Sequence, residues 1–110
     1  MKNIVFIPLL ALLFTVFAAS AQSNQDAYAL ASQSGCLACH KPDQKLIGPS
    51  YESVATKYHD QSDASEYLSN KIKKGGAGVW GRIPMPAHPQ LSDESIKTLV
   101  AWILRGAPSQ

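Results

Sequence analysis

Charge and cysteine are both scarce in this chain. Its 110 residues include two cysteines, two methionines and 16% charged side chains, with ten Lys and Arg against eight Asp and Glu. So even a balance argues against nucleic acid as a partner, and the length excludes a multi-domain enzyme. There is no internal repeat, no low-complexity run and no strand-like alternation longer than a few residues. Phenylalanine is missing after residue 21, because all three lie before it.

That first stretch differs in kind from the rest. It opens with Lys2, runs apolar from Ile4 to Ala19 and closes on Ala19-Ser20-Ala21 before the polar Gln22-Ser23-Asn24-Gln25-Asp26. A positive start, a short apolar run and a small-x-small ending describe a secretory signal peptide cut after Ala21, and hence export to the periplasm. The competing reading is a membrane anchor. Ile4 to Ala19 is only 16 residues and Pro8 interrupts it, whereas a spanning helix needs about 20.

The mature domain would then be residues 22–110, with the apolar share reduced from 45% to about 38%. A domain so small and so modestly apolar needs something besides its own core to stabilise it. Its pattern is all-α, about four short helices separated by Gly and Pro. The first is expected over Asp26 to Ser34, capped by Asn24 or Asp26 and stopped by Gly35. The second starts at Pro49 and turns Tyr51, Val54, Ala55 and Tyr58 to one side. The third starts near Ser62 or Asp63, with Glu66 closing a capping box on Asp63, and ends at Gly75. The fourth runs from Ser92 to Arg105 behind an inward stripe of Ile96, Leu99, Val100, Ile103 and Leu104. Gly75 to Leu91, with four glycines and three prolines, is left as a long loop. In so small a domain such a loop is normally disordered or packed around something.

The chemistry centres on Cys36-Leu37-Ala38-Cys39-His40. Cysteines at i and i+3 on a helical turn project to one side and the histidine joins them. Both thiols can then bond one haem while the imidazole reaches its iron, so C-x-x-C-H reads as c-type haem attachment. Three alternatives compete. A Cys36–Cys39 disulfide would close a short loop and constrain little. A thioredoxin-like dithiol needs strands around it, and zinc needs a fourth ligand. For the second axial position of a haem iron the mature candidates are Met85, His59 and His88. Met85 is favoured because Pro84 and Pro86 fix its backbone within the loop that must pack around something. A His40/Met85 pair leaves no open position, which favours electron transfer over oxygen or peroxide chemistry. His59, beside Asp60, is expected at the surface.

With these residues in view, the chain resembles the small bacterial class I cytochromes c of the c-551/c-552 group. The resemblance rests on Gly35 to His40, Ile47-Gly48-Pro49-Ser50-Tyr51, Lys71 to Gly75, Gly78-Val79-Trp80-Gly81, Ile83-Pro84-Met85-Pro86 and Trp102 in the last helix. It implies the class I cytochrome c fold, four short helices around one haem held by Cys36 and Cys39. It also implies a carbonyl of Pro49 bonded to the Nδ1 hydrogen of His40, and Trp80 and Lys71 holding a haem propionate. An apolar wall of Ile72, Val79, Leu99 and Ile103 would shield the group. The implied function is that of a periplasmic, monomeric electron carrier, not an enzyme. It would be fed by a bc-type complex and emptied by nitrite reductase, a terminal oxidase or a cytochrome c peroxidase. An enzyme or gas binder lacking a stable Met85 bond, and a tethered haem subunit of a larger oxidoreductase, stand as alternatives. One departure concerns the Met-Pro-Pro-Asn common in the group, which here reads Met85-Pro86-Ala87-His88. His88 either points into water or supplies an N–H to the methionine sulfur in place of the asparagine.

Overall fold

A computed structural model describes residues 16–109. In it α1 (Val16–Gln33) is followed by a 3-10 turn (Cys36–Ala38), α2 (Tyr51–Tyr58), α3 (Ala64–Lys74) and α4 (Asp93–Leu104). Among the described residues the sole extended pairing is an isolated antiparallel bridge between Gly76 and Met85. No described helix is long and apolar enough to cross a membrane. Residues 1–15 of the expected leader lie outside the described residues.

Two helix starts and one cap differ from the sequence reading. α1 begins ten residues before Asp26 and runs unbroken past Ala21, because Ala18, Ala19 and Ala21 favour helix and no Gly or Pro intervenes. α2 is capped by Ser50, whose Oγ accepts from the Ser53 amide at 3.1 Å, so Pro49 lies outside the helix and its carbonyl is free for other use. Asp63 precedes α3 without a side-chain cap bond, so the expected capping box does not form. The stops behave as read: Gly35, Gly75 and Gly106 take positive φ angles of 81°, 70° and 87°, which glycine adopts without steric cost.

The core is organised by α4, which packs on α1, α2 and α3. Ser92 caps it at 3.1 Å from the Ser95 amide, with Asp93 and Glu94 in the first turn where the helix dipole favours anions. Ile96, Leu99, Val100, Trp102 and Ile103 are buried on its inner face. They meet Tyr51, Val54 and Tyr58 from α2, Leu68 and Ile72 from α3, and Ala27 and Ala31 from α1. Leu104, placed on the stripe, is only partly buried. The four residues of the expected apolar wall all line one cavity: Ile72, Leu99 and Ile103 are buried and Val79 is 49% exposed.

Candidate functional site

Beside this core lies a cavity of about 570 Å³, within the range of small-molecule and cofactor sites. The cysteine turn, the segment from Lys45 to Tyr51, α2, α3, the loop from Gly76 to His88 and α4 all contribute to its lining. The long loop is therefore packed around a space.

Cys36, Cys39 and His40 enter together because the chain turns tightly behind Gly35. The amides of Cys39 and His40 both reach the Cys36 carbonyl, at 3.1 and 2.9 Å. Both cysteines are free thiols, so no disulfide closes the pair, and burial pushes the Cys36 thiol above its ordinary value. Among the described residues no cluster of three or more His, Cys, Asp or Glu gathers as a metal site and no named strand flanks the pair. Neither a closed zinc centre nor a thioredoxin-like dithiol fits.

His40 is held from three directions. Its Nδ1 lies 2.7 Å from the Pro49 carbonyl. A carbonyl only accepts, so Nδ1 carries the hydrogen and Nε2 keeps a free lone pair for a metal. The Tyr51 ring stacks on the imidazole, with centroids 5.0 Å apart and planes 15° from parallel. Gly48 passes so close beneath that a β-carbon there would sit 2.6 Å from His40 Cε1 and 2.9 Å from Nδ1. The Gly48 amide is tied to the Cys39 carbonyl at 2.8 Å, so the glycine cannot retreat.

Met85 lines the same cavity. Its backbone pairs in both directions with Gly76, at 2.8 and 3.0 Å. Gly75 turns immediately before, and a β-carbon there would collide with the Met85 carbonyl and come within 2.8 Å of the Ala87 amide. Prolines and a bridge thus fix the methionine from both ends.

Pro49, Lys71 and Trp80 also line the cavity. Trp80, 42% exposed, hydrogen-bonds Tyr58, and the Lys57 ammonium lies 5.7 Å over its ring. The Lys71 ammonium lies 5.7 Å over Tyr67, folded beneath Gly76. His88 is half-buried, its amide bonded to the Ile72 carbonyl at 3.0 Å, and its Nδ1 is closed off from solvent with no hydrogen-bond partner. It does not simply point into water. His59 is exposed as expected, its ring bonded to the Thr56 carbonyl at 3.0 Å and to Asp60 at 3.2 Å. Tyr51, Tyr58 and Tyr67 also line the cavity. The helical spacing marked Tyr51 and Tyr58 as inward residues, but a shared inward face does not distinguish core from cavity.

A model of the family described as "Cytochrome c" matches residues 25–107. The chain belongs to the cytochrome c family. It is 46% identical over 84 residues to cytochrome c-552 of Nitrosomonas europaea, covering 76% of this chain and 79% of that one. It is 52% identical over 75 residues to cytochrome c-552 of Hydrogenobacter thermophilus, covering 68% and 76%. The crystal structure of wild-type Nitrosomonas europaea cytochrome c552 superposes with a TM-score of 0.70, covering 72% of this chain and 98% of that one. The architecture is accordingly the all-α class I cytochrome c fold. Membership makes the chain an electron-transfer protein with a covalently bound c-type haem. The cavity fits that group: paired thiols, an imidazole with a free Nε2, a thioether on a rigid loop, and an orphaned buried nitrogen at His88.

Proposed function

We propose that residues 22–110 form a periplasmic carrier that moves single electrons between redox proteins, after removal of residues 1–21. Cys36 and Cys39 would attach the haem, and His40 and Met85 would ligate its iron. Haem iron, when bound, would supply a one-electron couple, and a thioether ligand beside imidazole ligation would raise its potential. The residues do the rest. Pro49 fixes the His40 tautomer and orientation through the 2.7 Å hydrogen bond. The bridge to Gly76 holds Met85, and Trp80 and Lys71 hold a propionate. Leu99, Ile103 and Ile72 keep water from one wall. With His40 and Met85 both ligating, no position would be left for a substrate, which favours a carrier over an enzyme. A bc-type complex fits as donor, and nitrite reductase, a terminal oxidase or a cytochrome c peroxidase as acceptor, with the carrier monomeric.

The observation that carries this reading is the His40–Pro49 hydrogen bond in a cavity shared with both thiols and Met85. Absorption spectra of the protein from a periplasmic fraction test it. The expected result is covalent haem, a far-red sulfur-to-iron band in the ferric form, and no carbon monoxide binding on reduction. Met85→Ala should lose the band and gain carbon monoxide binding. Carbon monoxide binding by the unmodified protein would instead support a gas-binding or peroxidase-like site.

A further inference from the structure

The hydrogen bond to Pro49 places one edge of His40 but does not by itself fix the plane of the ring. A carbonyl oxygen accepts over a broad range of directions, so a ring held at Cβ and Nδ1 can still hinge about the line between them. Two contacts remove that freedom. The Tyr51 ring lies 15° from parallel with the imidazole, with centroids 5.0 Å apart. Gly48 supplies the other. A β-carbon there would lie 2.6 Å from His40 Cε1, 2.9 Å from Nδ1 and 3.1 Å from Nε2. Such similar distances to three neighbouring atoms mean an approach over the ring face, because an approach to Cε1 in the plane would leave both nitrogens well behind. From these contacts we infer that Tyr51 and Gly48 are positioning residues that set the ring plane of His40. The chain itself, rather than the bound group, then chooses how the imidazole meets the iron. This rests on the haem reading above.

Both contacts are braced. The amides of Tyr51 and Glu52 open α2 and have no partner within it. They bond the carbonyls of Lys41 and Pro42 at 3.0 and 2.9 Å, which fastens the helix start to the two residues that follow His40. The buried Trp102 meets the Tyr51 ring edge-on at 5.4 Å, and its own N–H donates to the Pro108 carbonyl at 3.2 Å. The Tyr51 hydroxyl is hydrogen-bonded to the Cys36 sulfur, so one side chain touches both an anchor and a ligand. Gly48 is tied through its amide to the Cys39 carbonyl at 2.8 Å, and its carbonyl accepts from the Leu46 amide at 3.2 Å. It is not among the glycines with positive φ, so its backbone does not call for glycine. The imidazole does.

The plane of a ligating imidazole decides which iron d orbitals its π system meets. A ring that keeps its plane in both oxidation states adds nothing to the rearrangement that each electron transfer requires, and this suits a carrier.

Proton NMR of the ferric holoprotein in excess cyanide tests the assignment. A thioether favours the reduced iron, so excess cyanide displaces Met85 from the ferric form. Cyanide is linear, which leaves His40 as the one ligand able to order the haem methyl shifts. Tyr51→Leu and Gly48→Ala should each change that order, while Tyr51→Phe, which keeps the ring, should retain it. The wild-type order in either Tyr51→Leu or Gly48→Ala would overturn the paired assignment, as would a changed order in Tyr51→Phe. Should the first two variants not fold, the wild-type protein decides. Shifts linear in inverse temperature mean one fixed plane, whereas a curved dependence means a turning ring and overturns the proposal. Absence of covalent haem from the absorption spectrum would overturn the parent reading instead, so the two failures are distinguishable.

Discussion

His88 and Tyr58 show how single side chains carry consequences for the site. A buried polar atom without a partner costs about 1–3 kcal/mol, and His88 Nδ1 is such an atom, three residues after Met85. His88 also lines the cavity, and an imidazole N–H offered to a group held there would favour the less positive, reduced state. His88→Leu should therefore lower the reduction potential by about 40 mV, the one-electron equivalent of a hydrogen bond worth about 1 kcal/mol. His88→Asn, which keeps a donor, should stay near the wild-type value. Protein-film voltammetry on the three forms checks this, and three equal potentials would remove His88 from the account. Tyr58 matters at alkaline pH. Burial, then its hydrogen bond with Tyr67, pushes its hydroxyl up from 10.0 to about 12. The folded state thus binds that proton more tightly than the unfolded chain. Its contribution to stability is intact below pH 10 and is lost as pH rises from 10 through 12. Burial also raises Tyr51, in the same direction. Thermal melts between pH 8 and 12 should show this loss, and Tyr58→Phe should flatten it.

The loop from Gly75 to Leu91 is the element on which the site turns. Gly75 sits at φ 70° with the Met85 carbonyl where a β-carbon would have to go. Alanine there meets a left-handed strain of about 1–2 kcal/mol and a backbone collision besides. Gly75→Ala should lower the melting temperature and weaken the far-red sulfur-to-iron band together, whereas an exposed glycine such as Gly81, with nothing within 4 Å, can lose only the strain term. The sequence revealed this loop as something wrapped around a partner, and revealed the cysteine turn, the core face of α4 and the glycine stops, because each depends on local spacing. It did not reveal the Gly48 approach to His40, the ring of Tyr51 on that imidazole or the folding of Lys71 under Gly76. Those contacts join residues across turns and helix ends, outside any single helix, and no periodicity encodes them. The α2 start and the α3 capping box failed for a different reason: Ser50 and Asp63 both stand at the N-cap and both are competent caps, but only the Ser50 side chain makes the cap bond.

At the scale of the whole molecule, apolar side chains gather where the cavity opens. Leu46 is 45% exposed, Ile47 52% and Ile83 68%, and all three line the cavity with Lys45 and Arg82 beside them. Weak redox encounters use small patches of this sort. Ile47→Glu should slow electron transfer to a redox partner several-fold, measured by stopped flow, with the reduction potential unchanged. An unaltered rate would count against the patch. The same molecule has a second, less visible asymmetry, in that α1, α2 and α3 find their main partner in α4 rather than in one another. During synthesis α4 is the last described helix to emerge. Until it does, the other described helices lack the face they pack on, so their burial waits on α4.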